Sequence, residues 1–215
     1  MKKIMFLLVI MFCLAGCTNI KKASIDTIVE TVIKSKVVLS NEYRTGFKYY
    51  LPSNMTSIKS ERANEVLTNG KDKYYLYVDL ISYLDNADFD YKINSNAYYS
   101  KLINYNNKKG YLEIFVNNDK YLIEIMYNYA KIEVIVDKDN INEAVANSLV
   151  VLSSINYNRD IIENMLGEDI LNYSEEKFSI FDETAKDSNF LEYVQEYDNY
   201  NDNKSNEVPD YDLIN

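Results

Sequence analysis

The chain has 215 residues, 21 tyrosines, no histidine, no tryptophan and a formal charge of −10. Without histidine the commonest general base and transition-metal ligand is missing, and no phosphate-binding glycine loop appears among the five glycines. The two cysteines, Cys13 and Cys17, both lie at the N-terminal end, so the body has no thiol for a disulfide, a zinc site or a nucleophile.

The first segment reads as an export signal. Lys2 and Lys3 form a positive start, residues 4–14 are apolar, and the small residues Ala15 and Gly16 precede Cys17. The apolar run is shorter than the roughly 20 residues a membrane-spanning helix needs. Leu14-Ala15-Gly16-Cys17 resembles the bacterial lipobox. That resemblance implies cleavage before Cys17, diacylglycerol on its sulfur and, often, an acyl chain on the new amine. Several chains anchor stably because each buried methylene contributes about 0.8 kcal/mol. An ordinary secretory signal with an incidental cysteine is the alternative. The expectation is a signal peptide over 1–16, a lipidated spacer over 17–23, and a protein held on the extracytoplasmic face of the cell membrane. No cofactor is expected beyond those acyl chains.

Residues 24–38 predict an amphipathic helix. Ile25, Ile28, Val29, Val32 and Ile33 share one side, Ser24 is the N-cap, and Asp26 favours the helix dipole. Phe47, Tyr49 and Leu51 then alternate with Gly46, Lys48 and Tyr50 in a strand ended by Pro52. Strands over 64–68 and 73–80 flank Asn69-Gly70, which predicts a tight type I′ hairpin. Asp85, Asn86, Asp88 and Asp90 lack the glycine and closing glutamate of an EF-hand and predict an exposed loop. Strands over 98–104, 111–116, 121–127 and 131–136 follow. A helix over 140–155 carries Ile141, Ala144, Val145, Leu149, Leu152 and Ile155 on one stripe, with Asn140 and Glu143 spaced as a capping box. A short helix over 160–166, stopped by Gly167, completes a 24–166 domain. The expected class is α+β: an antiparallel meander of about seven strands flanked by N- and C-terminal helices, in a sandwich-like arrangement.

This order of helix, strand running into proline (Gly46-Phe47-Lys48-Tyr49-Tyr50-Leu51-Pro52), meander and closing helix resembles the PsbP-like fold. Members of that superfamily are mostly accessory or binding proteins. The chain lacks the tryptophan often found soon after that proline, and the resemblance carries no functional residue across.

Two turns set a register that can be tested. Two-residue turns at Asn118-Asp119 and Asn128-Tyr129 put Leu112, Ile114, Ile123, Ile125, Ile132 and Val134 on one face. The same register sets Glu113, Glu124 and Glu133 side by side on the other. Opposed like charges on neighbouring strands are destabilising, so the row calls for water, a cation, or a lysine such as Lys131 or Lys48. An oxygen-only cation site would favour calcium; a solvated face, or a register shifted by two, is the alternative. Tyr75 and Tyr77 point away from Leu76 and Val78, and with Tyr98 and Tyr111 offer an aromatic surface for a sugar or peptide. Tyrosine also simply suits half-buried strands.

Residues 167–215 hold 14 acidic groups against Lys177, Lys186 and Lys204, a net of −11 that leaves about −1 on residues 17–166. Such composition predicts a mostly disordered tail and, being acidic, argues against nucleic acid or anionic lipid as its partner. No nucleophile motif or metal-ligand spacing marks an enzyme. The reading is a lipid-anchored, non-enzymatic module that binds an envelope protein or a small ligand. The alternative is a structural or assembly factor of the cell envelope that recruits a protein through the acidic tail.

Overall fold

The computed structural model describes residues 20–35 and 39–167. The expectations for the signal, for Cys17 and for the chain from 168 onward lie outside the described residues.

Ser24 caps the first helix, α1 (Ile25–Lys34), by accepting the Thr27 amide at 3.2 Å, and Ile28, Val29 and Ile33 are buried. Eleven further elements follow up to residue 140: β1 (Glu42–Arg44), β2 (Phe47–Tyr49), β3 (Thr56–Glu61), β4 (Asn64–Thr68), β5 (Lys73–Val78), α2 (Leu80–Asp85), β6 (Tyr99–Tyr105), β7 (Lys108–Asn117), β8 (Lys120–Tyr127), β9 (Ala130–Val136) and a 3-10 turn, Lys138–Asn140. Helix α3 (Ile141–Ser154), β10 (Asn156–Tyr157) and α4 (Arg159–Gly167) close the described chain.

The fold is α+β, with a seven-stranded antiparallel sheet in the order β3-β4-β5-β9-β8-β7-β6. It is not one continuous meander. β3-β4-β5 and β6-β7-β8-β9 are two meander runs, and β5 closes on β9 instead of β6. To start β6, the chain after β5 crosses to the far edge of the sheet through α2 and the connection 86–98. Helices α1 and α3 pack on one face, where Leu76, Leu112, Ile114, Ile123, Ile125, Ile132 and Val134 join α3's Val145, Leu149 and Leu152 in the core. Each such fully buried aliphatic contributes roughly 1.5–3 kcal/mol through burial.

Three expectations need correction. The strand before Pro52 ends at Tyr49 and belongs to a separate small sheet, β1-β2-β10, while β3 supplies the seventh strand of the large one. Asn69-Gly70 is not a two-residue type I′ turn. Only Gly70 of the pair has positive φ, and residues 69–72 form the connection, folded by Asn69 Oδ1 accepting the Lys71 and Asp72 amides. Asn140 and Glu143 form no capping box. Asn140 is itself helical (φ −100°, ψ −4°), where its side chain cannot fold back on the first turn, and Glu143 accepts from Asn54 at 3.4 Å instead.

Candidate functional site

Alternation along the strands gives the sheet a second face, turned away from α1 and α3. The two-residue turns fix it. Asn128 and Tyr129 both take positive φ, at 56° and 61°, as the tight turn requires, and Asn118 does so at 52°. The pairings Glu113↔Glu124 and Glu124↔Glu133 follow in the register expected from the turns.

Extended to all strands, that register makes one straight row across the face: Lys59, Val66, Tyr75, Glu133, Glu124, Glu113 and Ser100. The adjacent row runs Tyr77, Lys131, Met126, Tyr111 and Leu102. The glutamates do not face open water: Glu133 is 2% exposed and Glu113 7%. Their cover includes the connection 86–98, a strap that crosses this face on its way to β6. Tyr91 of the strap lies flat on Tyr111, with ring centres 4.4 Å apart and planes 7° apart, and Phe89 stacks on Tyr111 at 5.7 Å. The Tyr91 hydroxyl donates to Glu113 Oε1 at 2.6 Å and meets Ser100 Oγ at the same distance. Asp88, expected in an open acidic loop, pairs with Lys109 at 2.6 Å and ties the strap to β7.

The three carboxylates do not converge on a point, and among the described residues no group of three or more acidic side chains is placed to hold a metal ion. Glu113 is engaged by Tyr91, and Glu124 accepts from the Tyr111 hydroxyl. Lys48 lies on β2 of the small sheet, and the lysine that meets Glu124 and Glu133 is Lys131. Its Nζ lies 2.5 Å from Glu133 Oε1 and 3.9 Å from Glu124 Oε2. The lysine that a shifted register would have set against Glu124 reaches it along the sheet with no shift. Burial pulls the Lys131 amine down, but the charges of Glu124 and Glu133 outweigh it and leave the amine above its ordinary range. Burial likewise raises Glu133, to about 7, with Lys131 opposing and Glu124 adding to the rise.

The expected aromatic surface is only partly assembled. Tyr75, Tyr77 and Tyr111 share the face, but Tyr75 (7% exposed) and Tyr111 (9%) are buried, so they are not an open stacking platform. Tyr98 does not join them. It meets Tyr121 edge-on at 5.0 Å, and Tyr121 has the strand parity of the helix-covered face. Tyr91 and Phe89 were missed by the sequence reading, and their only signal is two rings in an otherwise acidic, Asn-rich run. Among the exposed side chains are two large apolar ones: Leu102 on the edge strand β6 is 47% exposed and Ile93 of the strap 68%, beside exposed polar residues such as Asn104 and Lys92.

Another buried carboxylate serves the fold. Glu65 on β4 points to the helix side and accepts from Arg44 (2.6 Å), Tyr49 (2.9 Å) and Ser57 (3.1 Å), clamping the small sheet to the large one. Compared with known proteins, the chain matches no protein-family model and no curated sequence.

Proposed function

We propose that this protein is a non-enzymatic, lipid-anchored binding module, held by Cys17 on the extracytoplasmic face of a cell membrane, that presents the strap-side face of its sheet to a ligand or an envelope partner. The observation that carries the reading is the chemistry at the centre of that face. A face that served only to pack would be filled with aliphatics, and buried ion pairs add little or nothing to stability over such a filling. Keeping three glutamates, a lysine and two stacked tyrosines there departs from the fold's own consistency, and such departures concentrate at functional sites. At its centre three carboxylates meet Lys131, with Lys59 and Lys73 flanking the row, so the face suits a neutral group better than a phosphate or a nucleic acid. A relation of the body to the PsbP-like fold rests on the order of helix, strand into Pro52, meander and closing helix read from the sequence. The motif at residues 14–17 supports the anchor, and the short spacer 17–23 keeps the domain close to the membrane.

The anchor is tested by Cys17→Ala. The substituted protein is expected to lose metabolic labelling by fatty acid and to leave the membrane fraction or remain unprocessed. Unchanged labelling and membrane retention would remove the anchor from the reading.

A further inference from the structure

Glu124 and Glu133, paired across β8 and β9, bring four carboxylate oxygens together on the strap-side face. Three have a partner or a cation nearby: Tyr111 donates to Glu124 Oε1, and Lys131 lies by Glu133 Oε1 and Glu124 Oε2. The fourth, Glu133 Oε2, is buried with no hydrogen-bond partner. A buried carboxylate oxygen without a donor is costly. Two carboxylates this close to each other, with one amine between them, do not both ionise freely. A single proton removes both penalties, because it supplies the missing donor and leaves one negative charge for Lys131 to balance.

The pair is also wired to the strap. Glu124 holds the Tyr111 hydroxyl, the Tyr111 ring carries Tyr91 and Phe89, and Tyr91 is bonded in turn to Glu113 on the next strand. Separating Glu124 from Glu133 therefore displaces the ring on which the strap rests, and adds charge beside Glu113. We propose that Glu124 and Glu133 hold one proton between them, and that losing it loosens the 86–98 strap from the face.

The groups around the pair are Lys131 on β9, Tyr111 and Glu113 on β7, and Tyr75 and Tyr77 on β5. Tyr91 faces them from the strap, Lys59 ends the row on β3, and Lys73 flanks it on β5. Burial first, then the neighbouring glutamates, hold the Tyr91 and Tyr111 hydroxyls above their ordinary range. Lys131 stays charged, so none of these three titrates between pH 5 and 8. Burial, with help from Glu124 and against Lys131, lifts Glu133 from an ordinary 4.5 to about 7. The folded state thus keeps a proton that the unfolded chain gives up. The stabilisation is complete below about 4.5 and is lost as pH rises through about 7.

Hydrogen exchange on the full chain in detergent, at pH 5.5 and pH 8 and corrected for intrinsic exchange, tests the device without any ligand. Its failure would leave the binding face untouched. The Asn94 amide, which donates to Ser100 Oγ at 2.9 Å, reports on the strap, and α3 amides serve as reference. Strap protection in the wild type is expected to fall about tenfold or more at the higher pH, the factor that one pKa unit carries, while α3 holds. Glu133→Gln, or Glu124→Gln if the first variant does not fold, is expected to keep the low-pH protection at both values. Equal strap protection at the two pH values, a loss shared equally by α3, or a fall that survives in the glutamine variant would each overturn the proposal.

Discussion

Lys131 decides how the glutamate row can exist. Its side chain is 13% exposed and serves Glu133, 3% exposed, and Glu124, 21% exposed. Removing one partner of a buried pair costs about 3–5 kcal/mol because the remaining charge has no compensation. Glu133 already binds a proton near neutrality, and without the amine it binds that proton more tightly. Lys131→Met is therefore expected to lose stability on that scale at pH 8 and distinctly less at pH 5.5, read from urea unfolding at the two pH values. Equal loss at both would mean that Glu133 does not titrate in this range. Such a residue was only half legible. The turn residues and the period-two alternation fixed which side chains were neighbours, but nothing local says that Lys131 bends along its own strand to Glu133.

At the scale of elements, the ladders that were legible are those joined by two-residue turns with asparagine, where geometry leaves one register. β7-β8-β9 is of this kind, and its close packing has a checkable consequence at Gly110. A Cβ there would lie 2.0 Å from the Met126 carbonyl oxygen, with no flexible side chain to give way. Forcing extra atoms into well-packed structure costs about 1–3 kcal/mol or more. Gly110→Ala is expected to reach at least the top of that range in denaturant unfolding, and a neutral outcome would contradict the strand spacing. The elements that were not legible lack such punctuation. β3 is an edge strand with a register irregularity between Ser57 and Lys59, and its residues show little apolar alternation. β1 and β10, at three and two residues, are too short to show a period. α2 begins in Val78-Asp79-Leu80, where an apolar run continues a strand by pattern, and it is the Asp79 side chain capping the Ser82 amide that turns it into a helix. The strap was unreadable for a different reason. Its meaning lies in Tyr111 and Glu113, some twenty residues further on, and only the β5-to-β9 pairing forces it across that face.

For the whole molecule, the division of the sheet into two faces organises everything else. One face buries the aliphatic rows under α1 and α3, and the Glu65 clamp joins the small sheet to that body. The other carries a charged and aromatic centre beneath a strap, with Leu102 exposed on its edge strand and Ile93 exposed on the strap. The sequence showed that two faces exist and which residues of β7, β8 and β9 line each, but not that Lys59 of β3 joins the second or that Tyr98 stands apart from it. It gave the wrong surroundings to the second, because what covers a sheet face is set by chain crossings rather than by the strands. The central claim is that this second face meets the partner. Site-specific photo-crosslinking in the native envelope tests it most directly, with the photoreactive residue placed at Leu102 on the strap-side face or at Glu30, an exposed position on α1 whose side chain is 59% exposed. A discrete adduct is expected from position 102 and none from position 30. Adducts from position 30 alone, or the same adducts from both, would contradict the claim.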